Sequence, residues 1–184
     1  TLANWQIYGP HIYLSARLAY DPTADADAII DDYFLQGYGP KAAPPMKEYW
    51  LDIDRAFMEL ECHTGSVYAL HLVYTPEFLA RCRKRLDEAA SAAKSDAQHA
   101  ARVQMAAEGF RNAADLMAVR SAMNRGDFQR ARRGYEQMLA RNERHAESRL
   151  GHPYTVTYLR RFVGTCVLAG AEATAPPHRV AAVL

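Results

Sequence analysis

Apolar side chains recur every three or four residues along most of the chain, which is the spacing of one face of an α-helix. The clearest stretches begin near residues 76, 96 and 127. Their apolar positions are Phe78, Cys82, Leu86, Ala89 and Ala93; Ala100, Val103, Ala107, Phe110, Ala114 and Met117; and Phe128, Ala131, Tyr135 and Met138. The pattern predicts an all-α fold with an antiparallel helical bundle, because short loops place successive helices side by side.

Two short motifs fix boundaries within this predicted bundle. Thr75-Pro76-Glu77 is typical of a helix start, with threonine as the cap, proline at the first position and an acid in the first turn. Arg125-Gly126-Asp127 predicts a turn in which glycine ends one helix and aspartate caps the next.

The first 60 residues contain Tyr-Gly-Pro twice, at residues 8–10 and 38–40. Proline suits the first turn of a helix, so each copy is interpreted as a loop followed by a helix start. The first helix is then predicted at residues 10–20. Thr23 or Asp25 is expected to cap a second helix that reaches Gln36.

A third helix is predicted to begin after Pro44-Pro45, because its apolar residues Met46, Trp50, Ile53, Phe57 and Leu60 follow a helical period. Residues 67–74 are apolar and fit either a short strand or a buried extended connector. A last helix is predicted at residues 154–167. The end of the chain, from residue 174, has the composition of a linker.

Composition excludes some classes of function. The chain has 184 residues, 49% apolar, with a net charge of +1. No basic face of the kind that nucleic-acid binding requires is apparent, and no run of 18 apolar residues predicts a membrane span. Three cysteines without a Cys-x-x-Cys spacing predict free thiols, with a Cys62–Cys82 bridge as the alternative.

Motifs of catalysis and metal binding are not found in the sequence. The seven histidines include no His-Glu-x-x-His, and the grouping of His145, Glu147 and His152 is interpreted as surface residues. The acidic residues between positions 25 and 32 spread around a helix, where water solvates them. The sequence therefore predicts no catalytic residue, no metal and no cofactor.

Aromatic residues crowd the first 50 positions. Rings at loop ends can stack on sugar faces, and Trp5 and Tyr8, predicted in a loop before the first helix, are the best candidates for such substrate binding. The alternative is that these rings pack between the first helices and a larger neighbour.

Several segments resemble one family. "YGPHIYLSARLAYDPTADADAIIDDYFLQGYGPKAAPPMKEYW" is similar to a stretch of the bacterial glycoside hydrolase family 163, formerly a domain of unknown function. The matching positions are Tyr13, Ala16, Arg17, Leu18, Asp21, Pro22, Tyr38, Gly39, Ala42, Ala43, Met46 and Tyr49. Tyr20 and Gly37 depart from the family's usual Trp and Tyr. "YTPEFLARCRKRLDEAASAA" and "ARVQMAAEGFRNA" also resemble the family's helical region.

The resemblance implies a large enzyme in which a (β/α)8 barrel is followed by a helical domain. Characterised members resemble endo-β-N-acetylglucosaminidases that act on complex N-glycans, with the substrate's acetamido group as nucleophile. Residues 1–39 would be the end of the barrel, including its last helix, and a connecting helix. Residues 40–168 would be the helical bundle, and residues 169–184 a linker toward a further domain.

The resemblance also implies partners and a location. The partners would be the catalytic barrel of the same polypeptide and its glycan substrate, and the location would be secreted or periplasmic. Because the chain would lack the barrel's catalytic loops, no catalytic residue is transferred to it. An exposed apolar patch is expected at Ile12, Tyr13, Ala16, Leu18 and Tyr20. The alternative function is a stand-alone helical module that binds another protein.

Overall fold

The computed structural model describes residues 5–62, 69–147 and 153–173, and within them the chain is helical without any strand. The all-α prediction is confirmed. The helices are α1 (Trp5–Tyr20), α2 (Ala26–Met58), α3 (Leu70–Val73), α4 (Pro76–Ala93), α5 (Ala97–Asn124), α6 (Phe128–Glu147), α7 (Pro153–Tyr158) and α8 (Thr165–Ala173), with a π-helical segment at Leu159–Gly164. None of the described helices combines the length and apolarity needed to cross a membrane.

The chain divides into two compact units, residues 2–111 and residues 112–184, with the boundary inside α5. In the first unit α1 and α4 both pack against α2. The core includes Ile29, Phe34, Met46, Tyr49, Trp50, Phe78, Cys82, Leu86, Val103 and Phe110, all of them buried. The predicted inner face of α4 is confirmed, since all five of its apolar residues are buried.

The second unit is built around α6, which packs against α7, the π-helical segment and α8. Its core consists of Val119, Ala122, Ala131, Tyr135, Met138, Leu159, Val163 and Val167. Burial of these side chains is the main source of stability for the unit.

The predicted helix caps are confirmed. Asp25 Oδ1 accepts hydrogen bonds from the backbone N–H groups of Asp27 and Ala28, at 2.9 and 3.2 Å. Thr75 Oγ1 accepts from the N–H of Phe78 at 3.2 Å, and Pro76 is the first helical residue. These side chains satisfy N–H groups that have no partner within a helix.

The turn between α5 and α6 also follows the prediction. Gly126 has φ of +73°, a left-handed conformation that glycine adopts without a side-chain clash. Asp127 Oδ1 accepts from the N–H of Arg130 at 3.1 Å and so caps α6.

The predicted start of the first helix is wrong. Helix α1 begins at Trp5, so that Trp5 and Tyr8 are helical and Pro10 lies inside the helix. Pro10 has no N–H to donate to the carbonyl of Gln6, and its ring crowds that carbonyl. Gly9 and Pro10 are buried, and this packing offsets the lost bond.

The predicted helix start after Pro44-Pro45 is also wrong. Helix α2 continues to Met58, and its one interruption is at Gly39, with φ 72° and ψ 166°. Pro40 begins the second half of α2, as predicted for this copy of Tyr-Gly-Pro. Pro44 and Pro45 remain helical because each forfeits a single backbone bond, while the buried residues around them pack against α4.

The remaining predictions concern residues 63–74 and the end of the chain. Residues 63–68 lie outside the described residues, but Leu70–Val73 is helical, so the strand alternative is wrong there. The predicted last helix is present and extends to Ala173 through the π-helical segment. Residues 174–184 lie outside the described residues, and the division into a barrel end, a bundle and a linker stays a prediction.

Candidate functional site

A pocket of about 330 Å³ opens where α1, α2 and α5 meet within the first unit. We call it the tyrosine pocket. It is lined by Tyr13 of α1, by Tyr33, Gln36, Gly37 and Tyr38 of α2, and by Arg102 and Met105 of α5. Its volume lies at the lower end of the range for small-molecule sites, which is about 300 to 1,000 Å³.

The break in α2 creates the polar end of this pocket. Pro40 has no N–H to offer the carbonyl of Gln36 four residues earlier. Arg102 fills that role from α5, since its Nη1 donates to the carbonyl oxygens of Gln36 and Gly37, both at 3.0 Å. Arg102 therefore caps the first half of α2 and is held at the pocket by backbone groups.

Aromatic rings form the walls. The centroids of the Tyr13 and Tyr33 rings are 5.4 Å apart, and those of Tyr33 and Tyr38 are 6.1 Å apart in an edge-to-face arrangement. Phe34 stacks on Tyr38 behind this wall, at 6.0 Å. Burial raises the pKa of both Tyr33 and Tyr38, so their hydroxyl groups stay protonated and can serve as neutral hydrogen-bonding groups.

A hydrogen-bonded triad fixes Tyr13 and with it α1. The Tyr13 hydroxyl donates to Asp32 Oδ2 at 2.7 Å and accepts from Arg17 Nη1 at 3.2 Å. The hydrogen bond to Asp32 raises the pKa of Tyr13. These hydrogen bonds hold the Tyr13 ring against α2, whereas many other side chains of α1 are exposed to solvent.

Arg102 is the one charged side chain among the seven lining residues. Within the described ranges no carboxylate lies close enough to form an ion pair with it. The nearby Asp96 instead contacts His99, with Oδ2 3.3 Å from Nδ1. The pocket thus combines aromatic surface, hydroxyl and amide groups and one positive charge. This combination suits the binding of a small ligand, and none of its lining residues is a carboxylate, serine, cysteine or histidine.

Trp5 and Tyr8, the candidates for stacking on a sugar ring, lie within α1 and not in a loop before it. Trp5 is the first residue of the helix, and Tyr8 is 51% exposed. Tyr8 is not among the residues that line the tyrosine pocket. Their predicted loop position is therefore wrong, and their role in substrate binding stays a prediction.

The acidic candidates at positions 25–32 make separate structural contacts. Asp25 caps α2, Asp31 pairs with Lys47, and Asp32 accepts the Tyr13 hydroxyl. His145 and Glu147 end α6, while His152 lies outside the described residues. Among the residues that the structure describes, no three histidine, cysteine or acidic side chains come together as a metal site.

Sequence reasoning missed Arg102 and Gln36. The tyrosines belong to the aromatic-rich first 50 residues, but nothing in the sequence near residue 102 marks it as a partner of residues 36 and 37. The signal that was present is the Gly39-Pro40 pair, because a proline inside a helical segment leaves the carbonyl four residues earlier without its donor. Which side chain supplies that donor depends on the packing of α5.

A second and larger cavity, of about 500 Å³, lies between α5 and α6 in the second unit. It is lined by Ala118, Val119, Asp127, Arg130, Arg133, Gly134 and Gln137. Arg130, Arg133 and Gln137 are exposed, so water solvates its polar groups, and none of its seven described lining residues is aromatic. The tyrosine pocket is the better candidate for recognition of a ligand.

The comparisons with known proteins bear on the first unit. Residues 2–51 match the family model described as "Domain of unknown function (DUF4838)". This segment is under a third of the chain, and the description names no activity. Five of the seven residues that line the tyrosine pocket lie within it, and only Arg102 and Met105 lie outside. No curated protein and no solved structure gives a significant match.

Proposed function

We propose that the chain is the helical C-terminal region of a bacterial glycoside hydrolase, one that resembles endo-β-N-acetylglucosaminidases acting on complex N-glycans. In this proposal the chain supports the catalytic barrel of the same polypeptide and is inert alone. The resemblance of the segment around Tyr13-Leu14-Ser15-Ala16-Arg17-Leu18 supports it. The family match over residues 2–51 supports a shared domain, although its description names no activity.

The observation that carries the proposal is the incomplete burial of α1. Tyr20 is 94% exposed and Ala16 is exposed, while Ile12, Tyr13 and Leu18 are only half-buried. Helix α1 contacts α2 along one side and leaves these apolar side chains without full cover. Apolar surface of this kind is typical of a region that another domain covers.

The test is to identify the native polypeptide and its activity. An antibody raised against the 184-residue chain is used to purify the native protein from its own cells, and intact mass spectrometry gives its mass. We expect a mass several times the 20.6 kDa of this chain. We also expect the purified protein to release complex N-glycans, while the 184-residue chain alone releases none.

The role of α1 is tested separately by two variants of the native polypeptide. Replacing Tyr20 by serine should lower its melting temperature by a few degrees, because a covered ring is lost. Replacing Met58, which is 79% exposed at the end of α2, by serine is the matched control and should change nothing.

Two results would contradict the proposal. A native product near 20.6 kDa would exclude an attached barrel and favour the stand-alone protein-interaction module. A larger product that leaves N-glycans intact would retain the domain role but exclude this glycosidase activity.

A further inference from the structure

We infer that the tyrosine pocket binds a small monocarboxylate built on a six-membered ring, with the carboxylate at Arg102 and the ring among Tyr13, Tyr33 and Tyr38. The inference depends on the pocket alone and holds whether or not the polypeptide is a glycosidase. Two kinds of molecule share this chemistry, a sugar acid and an aromatic acid, and the experiment below separates them.

The size of the pocket limits the ligand. A volume of about 330 Å³ accommodates one ring and its substituents. The walls are contributed by three tyrosines whose centroids follow one another at 5.4 and 6.1 Å. Rings arranged in this way offer apolar faces and edges to a ring-shaped guest.

The charge of the ligand follows from Arg102. Its two hydrogen bonds to Gln36 and Gly37 both use Nη1. No acceptor for Nε or Nη2 occurs in the part of the chain that the structure describes, so those donors remain for a ligand. A guanidinium group presents two parallel N–H groups to a carboxylate, which makes a carboxylate the best-fitting anion.

The number of negative charges on the ligand is limited to one. Arg102 is the sole cation among the seven described residues that line the pocket, and Arg17 close by is already engaged with Tyr13 and Asp32. A phosphate or a dicarboxylate would bring a second negative charge with no partner, and removing that charge from water would be costly. A monocarboxylate balances the one available charge.

The backbone bonds of Arg102 also make the site pre-organised. A free arginine side chain loses rotamer freedom when it binds an anion. Here the carbonyl groups of residues 36 and 37 already hold the guanidinium group at the pocket, so less freedom is lost on binding.

The experiment is a titration of the full 184-residue chain followed by ¹H–¹⁵N NMR, with the Nε–H signal of Arg102 as a direct reporter. The probes are D-glucuronate and benzoate, and their neutral counterparts are D-glucuronamide and benzamide. We expect at least one carboxylate to bind with Kd of about 1 mM, because a ligand of few atoms makes few contacts. Its amide should bind about tenfold more weakly or not at all, because one charged hydrogen-bonded pair is lost.

Variants test the same assignment. Arg102→Gln removes the charge and should weaken binding about tenfold, while Arg102→Lys keeps the charge and should retain part of the affinity. Arg111→Gln is the matched control, since Arg111 is an exposed arginine of α5 that does not line the pocket. If Arg102→Gln fails to fold, the comparison of acid and amide on the unaltered chain still decides.

The outcomes are distinct. Charge-dependent binding of glucuronate supports a sugar acid, and charge-dependent binding of benzoate supports an aromatic acid. Equal binding of an acid and its amide, or no shift of the Arg102 signal with either acid, overturns the inference. Because the readout is binding to this chain, a failure here leaves the glycosidase proposal untouched.

Discussion

The imidazole ring of His99 lies against the α-carbon of Gly39 so closely that no side chain fits between them. A β-carbon at position 39 would lie 2.7 Å from both Cε1 and Nδ1 of His99. Asp96 holds the imidazole in place, with its Oδ2 3.3 Å from Nδ1. The break in α2 is therefore fixed both by its own backbone conformation and by a ring from α5.

We expect Gly39→Ala to lower the free energy of unfolding by about 1–3 kcal/mol, because an L-residue at φ of 72° is strained and its methyl group meets His99. Urea unfolding followed by circular dichroism measures this. Gly37→Ala is the control, since Gly37 is helical and has nothing within 4 Å of the added carbon. That change should stabilise the chain by up to about 1 kcal/mol. Equal effects of the two substitutions would contradict the role of Gly39.

A second close approach occurs between Gly164 in the π-helical segment and Tyr135 in α6. A β-carbon at Gly164 would lie 2.3 Å from the Tyr135 hydroxyl oxygen. Because Tyr135 is buried, its ring has little room to move, and we expect Gly164→Ala to cost about 1–3 kcal/mol of stability.

A double-mutant cycle tests this contact. Tyr135→Phe removes the atom nearest to the added methyl group and should recover part of the loss, with a coupling energy of about 1 kcal/mol. The recovery should be partial, because the ring carbon Cζ would still lie 2.7 Å away. Strictly additive losses would show that the two residues do not act on each other.

The ion pair between Arg141 and Asp115 in the second unit is expected to matter more than an exposed pair. Arg141 is buried, and its Nη1 lies 2.6 Å from Asp115 Oδ2. Asp115→Ala would remove this ion pair from the buried cation. We expect a loss of about 2 kcal/mol, less than for a fully buried pair because the Asp115 side chain is 36% exposed.

The matched control is Glu136→Ala, which breaks a pair with Arg132 at 2.8 Å on the surface of α6. Both of its side chains are roughly half-exposed, so the loss should be under about 1 kcal/mol. Urea unfolding of the two variants gives the comparison. A larger loss for Glu136→Ala would reverse the expected order.

The thiol of Cys82 should make stability fall at alkaline pH. Burial, and secondarily the negative charge of Asp52, raises the pKa of Cys82 from 9.0 to about 12. The unfolded chain therefore releases this proton first, and the stabilisation present below pH 9 is lost as the pH rises toward 12. Cys82→Ala should show a shallower loss between pH 9 and 11, and an unchanged slope would contradict this.

Thiol labelling gives an independent check on the same residue. At pH 8 a thiol reagent should modify the exposed Cys62 and Cys166 in the folded chain but leave Cys82 unmodified until denaturant is added. Cys166→Ala, which changes an exposed thiol, serves as the control and should leave the alkaline loss of stability intact.

Some boundaries could be predicted from sequence because they depend on residues within one turn of each other. Thr75 caps α4 through an N–H three residues away, and Gly126 turns the chain by its own backbone conformation. The apolar spacing of α4 likewise predicts which face is buried, since side chains three or four residues apart share a side of a helix.

The same local rules failed at Pro10, Pro44 and Pro45, and the reason is energetic. A proline inside a helix costs a backbone bond, and whether the helix tolerates it depends on what its neighbours bury elsewhere. Burial of Gly9 and Pro10 lets α1 begin at Trp5, and packing against α4 lets α2 pass Pro44 and Pro45.

The sequence by itself determined that the chain is helical, where several helices begin and end, and which faces are apolar, because these properties follow from contacts between near neighbours in the chain. Only the tertiary structure decided that Arg102 donates to a carbonyl 66 residues away and that Tyr13 meets Tyr33. Such contacts depend on how α1 and α5 dock on α2. The spacing of residues along the chain does not determine that docking. The pocket is therefore apparent only in the tertiary structure.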